Sequence, residues 1–114
     1  MSKLSFDFNS TAPTAPKKIE GKDFAGKIRP TLVPPEAIRA IARVREYGAT
    51  KYASDDNWKT VPVQYYVDAL YRHLLAYIDD PNAKDSESGL PHIEHLLTNA
   101  AFLAALQNNS QEKG

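Results

Sequence analysis

The side chains best suited to chemistry lie in two stretches of this chain. One is Arg72-His73; the other is DSESGLPHIEH, from Asp85 to His95, which holds Asp85, Glu87, His92 and His95. His92, His95 and Asn99 fall at i, i+3 and i+7. On a helix they form one polar stripe beside the apolar Ile93, Leu97 and Ala100. Solvated helix faces usually carry Lys and Glu, so a His/Asn stripe stands out. Asp85 and Glu87, just upstream, can fold back toward the start of the same helix. With His73 they would complete a His/carboxylate cluster. Such a cluster can be a hydrogen-bond network, or a site for an ion of the Mg²⁺, Mn²⁺ or Zn²⁺ type. H-x-x-H spacing alone does not decide between the two.

Cations and aromatic residues supply a second chemistry. Lys27, Arg29, Lys51 and Arg72 stand near expected helix starts, where free backbone N–H groups also favour phosphate. Lys51 belongs to GATKYASDDNW, an eleven-residue stretch from Gly48 to Trp58. An ordinary connection needs only about 4–6 residues. Its Tyr52 and Trp58 could stack on a base, or could pack the long loop against the body.

Three helices must position these groups. Pro34-Pro35 opens the first, which carries Ile38, Ile41 and Ala42 on one side and is expected to stop at Gly48. The second begins near Thr60 or Val61 and runs to about Ile78. Its apolar positions are Val63, Tyr66, Val67, Leu70, Leu74 and Tyr77. The third follows Pro91, with Ile93, Leu96, Leu97, Ala100, Leu103 and Ala104 as its expected core stripe. The pattern predicts an all-α, three-helix unit with little core of its own. Completion by a second copy into a homo-oligomer follows, with a dimeric four-helix bundle as the default. A monomeric three-helix bundle is the plainer alternative.

The totals set outer limits. The chain has 114 residues, 42% hydrophobic and 25% charged, which fits one small globular domain. No apolar run approaches the ~20 residues of a membrane span, and MSKLSFDFNS lacks the apolar stretch of a secretory signal. There is no Cys, so disulfides and thiolate metal sites are excluded and a cytoplasmic setting is expected. Residues 1–30 hold six basic and three acidic side chains, leaving 8 basic and 11 acidic beyond them. That asymmetry is too small for a nucleic-acid partner. The expected organisation is a flexible basic Ser/Thr/Pro-rich arm over 1–26, an all-α nucleotide-binding domain over 27–108 and a polar tail over 109–114.

Four motifs in order carry a family resemblance. They are K-x-R-P-x-L-V-P-P-E-A-I (Lys27 to Ile38), G-A-T-K-Y-x(5)-N-W (Gly48 to Trp58), A-L-Y-R-H-L-L-A-Y (Ala69 to Tyr77) and D-S-E-S-G-L-P-H-I-E-H (Asp85 to His95). Together they resemble the phage-associated domain named after dATP/dGTP diphosphohydrolases, over about residues 27–106. The resemblance implies phage origin and a helical fold related to MazG-like pyrophosphatases. It also implies release of pyrophosphate from purine dNTPs with Mg or Mn, in the cytoplasm of an infected bacterial host. As an enzyme of that kind, the chain would have its own residues in these roles: Lys27, Arg29, Lys51, Tyr52, Asn57, Trp58 and Arg72 would bind the nucleotide. Asp85 and His92 would hold metal, while His73, Glu87 and His95 would be catalytic.

One departure opens an alternative. MazG-like enzymes place E-E-x-x-E and E-x-x-D on helices, whereas the helical acids here are isolated: Glu36, Glu46, Asp68 and Glu94. A non-catalytic sponge for a nucleotide immune signal, such as a cyclic nucleotide or an ADP-ribose-type messenger, would keep the cations and aromatics and dispense with the chemistry. An interaction module without any small ligand is the third expectation.

Overall fold

Prolines mark where the helices begin. In the computed structural model, which describes residues 26–113 and side-chain surroundings up to residue 108, α1 spans Pro35–Ala49 with Pro34 just ahead of it. A proline costs nothing there, because the first-turn N–H groups have no helical acceptor. Helix α2 spans Val63–Asp79 after Pro62, and α3 spans His92–Lys113 after Pro91. Glu36 and Glu94 lie in the first turns of α1 and α3, where carboxylates complement the helix dipole. No strand occurs among the described residues, and Lys84 and Pro91 form an isolated bridge. The fold is all-α, as the sequence pattern predicts.

The chain divides after Leu32 into two units. Of the first, residues 26–32 are described: they are exposed and include a 3₁₀ turn over Pro30–Leu32. The rest of the expected N-terminal arm lies outside the described residues. The second unit carries the three α-helices. None of its described helices is long and apolar enough to cross a membrane.

The end of α1 differs from expectation. Gly48 is not the stop; the helix passes through it to Ala49, and its φ is not positive. No left-handed residue is needed, because the exposed carbonyls already have donors. Thr50 N–H bonds to Tyr47 O at 3.0 Å, and Lys51 and Tyr52 N–H groups bond to Gly48 O at 2.9 and 3.1 Å. The left-handed position that matters is Gly89, φ 75°, in the α2–α3 connection.

Helix α3 is the common support, since α1 and α2 each pack mainly against it rather than on one another. Arg43 of α1 donates to both Glu94 carboxylate oxygens at 3.0 and 2.7 Å, fixing α1 to α3. The expected core stripe of α3 holds in part, with Leu96, Leu97, Ala100 and Leu103 half-buried. Ile93 is 42% exposed and Ala104 is exposed, whereas His95 and Thr98, on the opposite side, are buried at 8% and 1%. The most deeply buried side of the helix is thus a polar one, where Thr98 Oγ1 donates to Glu94 O at 2.9 Å. On α2, Tyr66 is buried while Tyr71, Leu75 and Ile78, on the far side of the helix, are each more than half exposed.

Candidate functional site

Because α1 and α2 lean on α3 separately, a cavity of about 740 Å³ opens between them. Its floor is the inward side of α3: His92, His95, Thr98, Asn99 and Phe102. One wall is the end of α1 with the loop that follows, and the other is the Tyr66–His73 stretch of α2.

Loop 50–62 is held in place by side chains. Tyr66 Oη donates to Trp58 O at 2.6 Å, and Arg45 Nη2 donates to Asp55 O at 2.7 Å. Trp58 stacks on Phe102, with centroids 5.1 Å apart and planes 15° apart, and the Arg45 guanidinium covers Phe102 at 5.4 Å. One face of Trp58 is thus committed to packing. Tyr52 is 51% exposed at the cavity edge.

The α2–α3 connection folds around Asp85. Its N–H donates to Leu90 O at 2.8 Å, and its carbonyl accepts from Gly89 N–H at 2.8 Å. Asp85 Oδ2 accepts from Ser88 N–H at 2.8 Å. Gly89 makes this tight reversal possible, since its φ of 75° is costly for a residue with a Cβ. Burial opposes ionisation of Asp85, but the Ser88 hydrogen bonds outweigh it and hold the carboxyl below its ordinary pKa.

Three imidazoles meet at this loop. His73 Nδ1 and His92 Nδ1 are 2.9 Å apart, so one ring presents N–H to the other. His73 stacks on His95 at 4.6 Å with planes 10° apart. Ser88 Oγ lies 2.6 Å from His95 Nε2 and also accepts from Leu90 N–H at 3.1 Å. Burial is the main reason that the His73 pKa falls to about 4, and the neighbouring His95 adds to it. The His95 pKa is lowered too, chiefly by burial. Neither ring carries charge at neutral pH, so the 3.9 Å approach of His95 Nε2 to Asp85 Oδ2 is not an ion pair. Donor atoms of His73, Asp85 and His92 all lie within 4.8 Å of one another. Neutral imidazole and carboxylate are the protonation states a divalent ion requires, so this donor set fits one.

Glu87 is engaged elsewhere. It accepts from Tyr47 Oη at 2.6 Å and from Lys51 Nζ at 2.5 Å, which keeps its carboxyl ionised and raises the pKa values of both partners. Lys51 also lies 5.6 Å from the Tyr47 and Tyr52 ring centres.

Of the residues singled out from sequence, Lys51, Tyr52, Asn57, Trp58, Arg72, His73, Asp85, Glu87, His92 and His95 all line this cavity. Lys27 and Arg29 belong to the first unit and are exposed there. Sequence reasoning missed Arg45, Tyr47, Thr98 and Phe102 in the lining, and Ser88 beside it. Phe102 was within reach, for it continues the His95/Asn99 stripe by one more turn. Tyr47 and Ser88 carry no sequence signal, because their roles arise from contacts between loops.

The fold and the site together define an all-α domain with a His/Asp cluster and cations around one cavity. The chain belongs to the family described as "dATP/dGTP diphosphohydrolase, N-terminal", which matches residues 17–114. A relative from Salmonella phage PMBT28, named "dATP/dGTP diphosphohydrolase", is 33% identical over 84 residues, 74% of this chain. The match spans only 28% of that relative's length. No solved structure matches.

Proposed function

We propose that the cavity binds a purine deoxynucleoside triphosphate and that the domain releases pyrophosphate from it with a divalent ion. The observation that supports this reading most is the convergence of the His/Asp cluster, Lys51, Arg72 and the aromatic residues on one cavity. Its volume of about 740 Å³ suits a nucleotide-sized ligand. The family membership and the phage relative's name point the same way.

The residues divide the work by their chemistry. Arg72 and Lys51 neutralise phosphate charge, with Lys51 exchanging its exposed bond to Glu87 for a phosphate oxygen. Tyr52 offers the base a ring face, and Asn57 and Trp58, with Lys59 Nζ 5.9 Å from the indole ring centre, complete that wall. His73, Asp85 and His92 hold the ion, which when bound polarises a phosphoryl oxygen and acidifies water. His95 and Glu87 handle the proton of the attacking water. In this reading His73 serves as a metal ligand, since a ring with a pKa of about 4 is a poor proton carrier at neutral pH.

A second reading, a sponge that binds a nucleotide signal without cutting it, has its own support. Glu87 is tied to Lys51 and Tyr47, so Asp85 is the one carboxylate of the cluster itself. One experiment separates the two. The protein is incubated with Mn²⁺ and dATP, dGTP, cyclic dinucleotides or ADP-ribose, then denatured and the nucleotides resolved by chromatography. Deoxynucleoside monophosphate and pyrophosphate, lost by a hundredfold or more in Asp85→Ala and His92→Ala, support the hydrolase. Intact ligand recovered at one per site supports the sponge, and neither product nor bound ligand overturns both. We further propose that the domain works as a homo-oligomer in the cytoplasm of an infected bacterial host. The outward apolar residues and the phage relative support this.

A further inference from the structure

We infer that His73, Asp85 and His92 form a three-donor site for a d-block cation of the Mn²⁺, Co²⁺ or Zn²⁺ type, filled without nucleotide and clamping α2 to the start of α3. This rests on the cluster being the cation site proposed above, but not on turnover of any nucleotide.

The donors come from three places: His73 from α2, Asp85 from the connecting loop, and His92 from the first residue of α3. Their atoms already sit within 4.8 Å of one another. The 2.9 Å between the two Nδ1 atoms is also the spacing of two ligands at right angles on one ion. Bonds of ~2.1 Å place such ligands about 3 Å apart. Donor type selects the metal class. Mg²⁺ prefers oxygen ligands and keeps much of its water, whereas two imidazoles with one carboxylate suit the d-block ions.

The surroundings aim these donors. Ser88 N–H donates to Asp85 Oδ2 at 2.8 Å and so fixes the carboxylate beside the two imidazoles. His95 lies beside the donors without being one of them, because its Nε2 is engaged by Ser88 Oγ at 2.6 Å. Its ring instead stacks under His73 and fixes that ring's orientation. Three protein donors leave positions open for water or a phosphate oxygen. The clamp adds to a joint in which Tyr66 is the buried apolar residue that α2 contributes among those described.

The test uses the untagged chain, stripped with chelator, dialysed and free of nucleotide. Titration with Co²⁺ is expected to give visible d–d absorption that saturates at one Co²⁺ per chain and is bleached by Zn²⁺. Zn²⁺ or Co²⁺ at a hundredfold excess over Kd should raise the melting temperature on the order of 10 °C, while Mg²⁺ leaves it unchanged. His92→Ala and the milder Asp85→Asn should lose the absorption while circular dichroism shows them folded. Absence of both responses in the wild type overturns the inference, as does a Mg²⁺ response equal to that of Zn²⁺. Full absorption retained in both variants overturns the ligand assignment. The wild-type comparison of metals does not depend on a variant folding. Cobalt binding without nucleotide hydrolysis would leave this inference standing and remove only the catalytic reading.

Discussion

A histidine whose pKa is about 4 in the folded chain and near 6.5 when unfolded links folding to protons. Burial is the leading cause, His95, His92 and Arg72 reinforce it, and Asp85 opposes it. Between pH 6.5 and about 4 the unfolded chain binds more protons at this position than the native one. Stability from His73 is therefore complete above pH 6.5 and is lost as pH falls toward 4; His95, also lowered, acts in the same direction. Asp85 and Glu87, both depressed carboxyls, add losses of the same sign at still lower pH. For the metal-free protein, urea midpoints should fall steadily from pH 7 to 4.5, and His73→Gln should flatten that fall. A midpoint independent of pH across this range would show that the ring is not desolvated.

At the scale of elements, the loop between α1 and α2 is built by its aromatic residues. Tyr66→Phe removes a partly buried hydrogen bond to Trp58 O and should cost about 1 kcal/mol in chemical denaturation. Trp58→Ala should cost more, about 2 kcal/mol, because the indole stacks on Phe102 and is half-buried. Lys51→Ala, which removes an exposed ion pair and the ammonium's contacts with the Tyr47 and Tyr52 rings, should change stability by about 1 kcal/mol or less while weakening nucleotide binding. Equal losses for Trp58→Ala and Lys51→Ala would mean that the stacking contributes nothing. The three helices and their order were legible in the sequence because apolar spacing and prolines mark them strongly. Which side of α3 faces in was not. Ile93 and Ala104, at one edge of its apolar stripe, are exposed, and the deeper side is set by the rings of His95 and Phe102, which meet His73 and Tyr47, and Tyr66 and Trp58. The candidate cluster was legible as residue types near one helix start. The pairing of His73 with His92 was not, because it depends on α2 returning antiparallel across a loop whose shape Gly89 and Ser88 fix.

For the whole molecule, the balance of buried and exposed apolar residues argues for self-association. Tyr71, Leu75 and Ile78 on α2 and Ile93 on α3 are all at least 42% exposed. Light scattering should give at least twice the 12.7 kDa of one chain, and Leu75→Lys or Ile93→Lys should lower it. A monomer mass for the wild type at working concentration would remove the oligomer from the proposal. The support of α1 and α2 on α3 has one more consequence. In a bundle where every helix touches its neighbours, the width of a ligand site is dictated by the backbone. Here the two walls meet a shared base but hardly each other, so the gap between them is set by the side chains that cross it. The width of that gap can therefore be reset by substituting a handful of loop residues, with the helical frame left as it is.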